Sequence, residues 1–299
     1  MKPKLVKVDL QGGIGNQLFM YFAGLYWAQE NNAELVLNLG EIGVNGINHG
    51  ADLSEFEIKC RLIKENQSIA KVFAKRLSRK FSRNRLGIQI IGLLGQKVFY
   101  SSGIGYDDKL IERKKVKRIE GYFQTYRYFD GLLDSELKSL KLKNETAWFA
   151  RIRQELELTP FVAIHIRRGD FKNFSTNVGL LSDAYYTAAI RKIDLSLGEI
   201  LPLIVFSDEI TVAKVLLREH DSRISMWVSP PKDSSPIESL LLMSDATGIV
   251  IANSTYSWWA AKLGRAKQVI APEQWFRVGI APRDLYPANW QLVPSAWEN

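Results

Sequence analysis

Residues 5–39 read LVKVDLQGGIGNQLFMYFAGLYWAQENNAELVLNL, and the change of hydrophobic rhythm within them decides the fold class. A short apolar strand, Leu5 to Leu10, passes through a glycine-rich turn into an apolar helix, Gln17 to Glu30, and a second strand follows at Leu35 to Leu39. This is the order of a βαβ unit. The rhythm returns in the second half, with strands at Phe161 to Ile166, Leu203 to Phe206, Met226 to Val228, Ile249 to Ile251 and Val269 to Ala271. Helices are expected between them at Ala184 to Lys192, Val212 to His220, Ile237 to Met243 and Trp258 to Leu263. Each strand is nearly all apolar, as a parallel sheet covered by helices on both faces requires. The polar stretch Asp134 to Thr159, with a helix from Glu145 to Leu158 closed by Pro160, separates the halves. The expectation is an α/β protein of two doubly wound, Rossmann-like domains, 1–145 and 146–299. Their ligands would lie at the carboxyl ends of the strands, across a cleft.

With 299 residues, 46% hydrophobic and 24% charged, the chain can fill two globular cores, and disorder is not the expectation. Five tryptophans fall late (Trp258, Trp259, Trp275, Trp290, Trp297), most of them read as core packing. One cysteine, Cys60, permits neither an internal disulfide nor a cysteine zinc cluster and fits a reducing, cytoplasmic setting. The start MKPKLVKVDL lacks the pattern of a signal peptide, and the longest apolar stretch, Leu86 to Phe99, is broken by Gln89, Gln96 and Lys97. Neither export nor a membrane span is expected. The net charge of +8 gathers in the run from Lys71 to Arg85 (KVFAKRLSRKFSRNR), which has seven basic residues and no acidic one. Phe73, Leu77 and Phe81 would give a helix there a narrow apolar stripe. A solvated surface helix is the plainest reading, and peripheral docking on an anionic membrane at its inner face is the alternative. Nucleic acid is not expected, because no tyrosine or tryptophan interleaves the basic residues.

Four segments carry candidate chemistry. Gly12-Gly13-Ile14-Gly15-Asn16-Gln17 opens the first helix. Its glycines Gly13 and Gly15 let a ligand approach the backbone, and the amides of Asn16 and Gln17 suit a phosphate or a sugar hydroxyl. His165-Ile166-Arg167-Arg168-Gly169-Asp170 leaves a buried strand, where two arginines need anions: a diphosphate, or local acids such as Asp170 and Asp183. Phe206-Ser207-Asp208-Glu209 ends another strand, as a carboxylate for a nucleobase or ribose, as a helix cap, or as both. Ile251-Ala252-Asn253-Ser254-Thr255-Tyr256-Ser257-Trp258-Trp259 runs a strand into a helix through small polar residues, a phosphate seat or a plain capping turn. No strand ends in Asp-x-Asp, the nearest acids being Asp107 and Asp108, and no histidine pair has zinc spacing. A departing diphosphate would then meet arginines and helix ends in place of a metal.

GGIGNQLFMYFAG, GYFQTYRYF at Gly121 to Phe129, HIRRGDF, FSDE and IANSTYSWWAAKL follow one another in the order found in bacterial α-1,2-fucosyltransferases of glycosyltransferase family 11, which this chain resembles over nearly its whole length. That resemblance implies a GT-B fold with GDP-fucose on the C-terminal domain and acceptor contacts from the N-terminal one. It implies inverting, metal-independent transfer of L-fucose to the 2-hydroxyl of a galactose-terminated glycan, with no cofactor. Carried onto matching positions, Arg167 would grip the β-phosphate with Arg168 beside it, and His165 with Asp208 or Glu209 would lie near the guanine. Asn253, Ser254, Thr255 and Tyr256 would line the phosphates, and Asn16 would reach in from the other domain's loop. Asp170 is the candidate base, or it orients the arginines; leaving-group stabilisation is the favoured driving force. Residues 41–117 match no motif, and acceptor specificity is expected there.

Overall fold

A computed structural model describes residues 4–40, 42, 53–65, 98–101, 103–108, 117–130 and 140–298. The basic run at residues 71–85, and most of the segment expected to set acceptor specificity, lie outside the described residues. By contacts the chain forms two units: residues 1–141 with 282–285, and residues 142–281 with 286–299. The division falls at 141/142, with four late residues belonging to the first unit. Among the described residues, no helix is long and apolar enough to cross a membrane.

In the first unit, strands Leu5–Asp9 (β1), Glu34–Asn38 (β2), Arg61–Ile63 (β3), Val98–Tyr100 (β4) and Arg118–Glu120 (β5) form a parallel sheet ordered β3-β2-β1-β5-β4. Helix α1, Ile14–Glu30, covers it with Leu18, Phe19, Phe22 and Trp27 buried. A Cβ at Gly24 would stand 2.8 Å from both the Val8 and Leu35 side chains, so glycine lets the helix lie close on β1 and β2. Arg118, the first residue of β5, pairs with Asp9 at the carboxyl end of β1 and, at 3.1 Å, with Glu120 at the carboxyl end of β5; Asn38 donates to Asp9 at 2.9 Å. The two buried carboxylates are thereby paired, as buried charges must be.

The second unit is a parallel sheet of Val162–Ile166 (β6), Leu203–Ser207 (β7), Ile224–Val228 (β8), Gly248–Val250 (β9), Gln268–Pro272 (β10) and Gln291–Val293 (β11), ordered β11-β10-β9-β6-β7-β8. Every residue of β6 is buried, which is why its sequence is apolar apart from His165. The helices are Ala147–Glu157 (α2), Asp183–Leu197 (α3), Ile210–Leu216 (α4), Pro236–Ser244 (α5) and Thr255–Leu263 (α6). Tyr185, Tyr186, Ala189, Ile190 and Ile193 of α3 join Val162, Ile164, Val205 and Val250 in the core. Glu238, 1% exposed on α5, accepts from the backbone N–H of Thr146 at 2.7 Å and from its hydroxyl at 3.0 Å, holding the start of α2. Two parallel Rossmann-like sheets with this helix order are the GT-B class of α/β fold.

Candidate active site

The strand order reverses direction around β6, and there the carboxyl ends of parallel strands form the usual ligand crevice. The chain leaves β6 through Arg167 and Arg168 into a turn of 3-10 helix, Gly169–Phe174. Arg167 is held on three sides: Nη2 lies 2.5 Å from Asp170 Oδ1, Nη1 lies 2.8 Å from Asp208 Oδ2, and the Phe171 ring centroid is 5.5 Å from its guanidinium carbon. Its side chain stays 28% exposed. The Nε–H and the second N–H of each terminal nitrogen have no partner among the described residues, which leaves donors of the fork for an anion.

Asp208 anchors the arrangement, since its other oxygen accepts the backbone N–H of Arg168 at 2.9 Å. A Cβ at Gly169 would stand 2.6 Å from Asp208 Oδ2, so this glycine makes room for the carboxylate. Asp208 caps no helix: the residue at the cap of α4 is Glu209, without a side-chain bond, while Ser207 Oγ accepts from the Glu209 N–H at 3.0 Å. Glu209 also pairs with Lys172 at 2.5 Å.

Arg168 points elsewhere. Its side chain is 6% exposed, with Nη2 2.5 Å from Glu298 Oε2 and Nη1 3.4 Å from the Leu181 carbonyl. It serves the second unit's own packing, tying the segment around Glu298 to α3's approach. Of the acids expected to compete for the arginines, Asp170 does engage Arg167, whereas Asp183 accepts from the Ala184 N–H at the start of α3. Removing Glu298 strands a guanidinium among buried neighbours. Glu298→Ala is expected to lower the unfolding free energy by about 1–3 kcal/mol, the buried-pair figure discounted because Glu298 is 31% exposed. The check is the urea midpoint, and an unmoved midpoint would show the pair contributes nothing.

His165 is buried at 4% exposure, its Nδ1 has no partner among the described residues, and its ring centroid lies 5.4 Å from that of Tyr256. Burial, with the Arg167 charge second, pushes its pKa down from 6.5 to about 3. The imidazole is therefore neutral at ordinary pH. Tyr256 donates its hydroxyl to the Pro236 carbonyl at 2.5 Å, and burial raises its pKa.

In the turn from β9 into α6, Asn253 is 3% exposed and its Nδ2 donates to the carbonyls of Val178, Gly179 and Trp275 at 3.0, 3.3 and 3.4 Å. Its Nδ2 clamps loops together. Ser254 caps α6, accepting from the Tyr256 N–H at 3.3 Å. Thr255, half-buried, begins the helix, whose positive end faces the carboxyl side of the sheet. Trp258 and Trp259 are fully buried packing residues.

The glycine-rich loop belongs to the first unit. Gly13 is the N-cap of α1 with no side-chain bond, and Gly15 lies buried within the helix. Gln17 is consumed internally: its Nε2 donates to the Gly12 carbonyl at 2.9 Å and its Oε1 accepts from the Leu53 N–H at 3.1 Å. Asn16 is half-buried and accepts at Oδ1 from Gln124 Nε2 at 2.9 Å. Sequence reasoning singled out neither Gln124 nor Glu298, although a lone amide within the aromatic run GYFQTYRYF was a visible signal. Among the described residues, no group of three or more His, Cys, Asp or Glu is arranged to hold a metal ion.

The chain is 28% identical to an alpha-1,2-colitosyltransferase of Escherichia coli over 97% of its own length and 99% of that protein. It is 29% identical to the O-antigen biosynthesis glycosyltransferase WbnK of Escherichia coli, over 89% and 93% of the two chains. Among solved structures, the fucosyltransferase NodZ from Bradyrhizobium shares the fold with a TM-score of 0.51 at 14% identity, covering 88% of this chain and 94% of that one. The profile of glycosyl transferase family 11 matches residues 5–292, and the chain belongs to that family of glycosyltransferases.

Proposed function

We propose that this glycosyltransferase moves L-fucose from GDP-fucose to the 2-hydroxyl of a terminal galactose, with inversion and without a metal ion. The observation that carries the reading is the Arg167 fork, half-open at the exit of β6 and oriented by Asp170 and Asp208. A guanidinium so held costs little reorganisation when negative charge builds on the departing diphosphate, which is where electrostatic catalysis acts. The positive end of α6 adds to it through Thr255 and the cap at Ser254. Asp170 already shares an oxygen with Arg167, so orienting the fork is its first role and proton removal from the acceptor its second. Neutral His165, with Tyr256 over it, supplies an uncharged wall beside the nucleotide. Support for the donor and linkage comes from the fucosyltransferase likeness of the fold and from relatives named for α-1,2 transfer and O-antigen synthesis. The basic run at residues 71–85 is proposed to dock the enzyme peripherally on anionic lipid, near a lipid-linked acceptor.

The test is an incubation with GDP-fucose, a GDP-linked colitose and other sugar nucleotides against a panel of galactosides, each with and without excess EDTA. Transfer from GDP-fucose to the 2-hydroxyl, undiminished by EDTA, is the expected result. Strict dependence on added Mg²⁺ or Mn²⁺ would refute the metal-free route, and exclusive use of colitose would replace the donor while keeping the reaction class.

A further inference from the structure

The run Gly121-Tyr122-Phe123-Gln124 builds a prop whose purpose packing does not explain. Phe123 adopts a left-handed conformation, φ 51°, which a bulky residue takes up only when its surroundings impose it. Its ring is fully buried, edge-on to Tyr128 with centroids 5.7 Å apart, and a Cβ at Gly121 would come within 3.0 Å of that ring. The turn is completed by the Gln124 N–H, which donates to the Ile104 carbonyl at 2.7 Å. Gln124 itself is 7% exposed. Its Nε2 donates to Asn16 Oδ1 at 2.9 Å, while its Oε1 has no partner among the described residues.

A buried carboxamide satisfied at one end only is a poor structural choice, because the orphaned oxygen has lost water and gained nothing. What the arrangement achieves is control of Asn16. With Oδ1 held by Gln124, the Asn16 Nδ2 has no partner among the described residues and lies over Gly12, whose Cβ position would be 2.8 Å from it. Gly12 has φ 74°, so glycine there serves both the left-handed turn and the amide above it.

We infer that Gln124 is a positioning residue: it locks the Asn16 carboxamide so that Nδ2 is presented as the hydrogen-bond donor to a hydroxyl of the sugar handled by this loop. This rests on the transferase reading given above. Two amide ends are involved, and only the donor on Asn16 would touch substrate. Without the prop the Asn16 amide rotates freely between donor and acceptor faces, which misplaces a contact that the transition state needs.

Gln124→Met keeps the volume, removes the hydrogen bond and removes the orphaned oxygen. Expected results are an unchanged or raised melting temperature, a kcat lower by about 10²-fold and a KM for the nucleotide donor that barely moves. Asn16→Ala should lose a similar factor, and the double variant should be no worse than Asn16→Ala alone, since both act through one contact. Losses that multiply in the double variant, or a wild-type kcat in Gln124→Met, overturn the proposal. A fall in melting temperature that accounts for the lost activity would also overturn it in favour of a packing role. One readout needs no substrate: the Asn16 side-chain amide resonance in a ¹⁵N spectrum should shift in Gln124→Met, and an unmoved resonance counts against the prop even if the donor proves to be another sugar nucleotide.

Discussion

Arg167→Ala is expected to lower kcat/KM by about 10³-fold while leaving a folded protein, the size of effect seen when one preorganised donor to a developing negative charge is removed. The fork loses its contact with the departing diphosphate, and Asp170 and Asp208 are left facing one another without the cation between them. Their uncompensated charge would then repel the diphosphate, so the donor KM should rise together with the fall in kcat. Stability should drop by only about 1 kcal/mol, because the guanidinium is 28% exposed and its ion pairs are screened. Arg167→Lys separates charge from shape. An ammonium restores the positive charge but cannot reach Asp170, Asp208 and a phosphate with fixed planar geometry, so recovery should be partial. Steady-state kinetics with circular dichroism as the folding control decides the matter. Full activity in Arg167→Ala would remove the fork from the mechanism and with it the argument for a metal-free leaving group.

The fold class was legible because strands β6, β7, β9 and β10 of the second unit are largely buried and announce themselves as apolar runs. The three-residue strands Arg61–Ile63, Val98–Tyr100, Arg118–Glu120 and Gln291–Val293 escaped because so short a segment cannot display a period, whereas the equally short β9 showed itself by running into an unbroken apolar stretch. Helix α1 starts at Ile14 and not at Gln17, since Gly13 takes the cap position without a side-chain bond and the glycine-rich run reads as a turn. The helix expected over Val212 to His220 stops at Leu216 and tightens into 3-10 turns over Arg218–Arg223. Within the site, the place of Arg167 could be read from a charged pair leaving an apolar strand. The division of labour between the two arginines could not. Arg168 finds Glu298, 130 positions away, and no local pattern encodes such a partner. Asn253 and Gln17 show the same limit in reverse: the loops that carry them read as ligand-facing, yet backbone groups take up the Asn253 Nδ2 and both ends of the Gln17 amide. Polar side chains at strand ends are recruited by whichever unsatisfied backbone group lies nearest in space, and that is settled by packing.

Acid should destabilise the protein through His165 in particular. Its folded pKa is depressed from 6.5 to about 3, first by burial and then by the Arg167 charge. Between those two values the unfolded chain binds a proton that the native state refuses, so stability declines as pH falls through this window and is unaffected by this group well above it. The slope approaches about 1.4 kcal/mol per pH unit in the middle of the window. From pH 7.5 to 5.0 the loss due to this residue alone is about 2 kcal/mol. Carboxylates titrating nearby would obscure it in the wild type, so the measurement is a comparison with His165→Gln, which has no proton to take up. Urea unfolding at both pH values should show the wild type losing about 2 kcal/mol more than the variant across that interval, whatever the variant's stability at pH 7.5. Parallel losses in the two proteins would mean the imidazole titrates normally and is hydrated in the native state. The same neutrality bears on the reaction: a histidine that stays uncharged above about pH 3 adds no ascending limb to the rate profile near pH 6.5. Any limb found there would belong to the acceptor or to another group, and its persistence in His165→Gln would identify it as such.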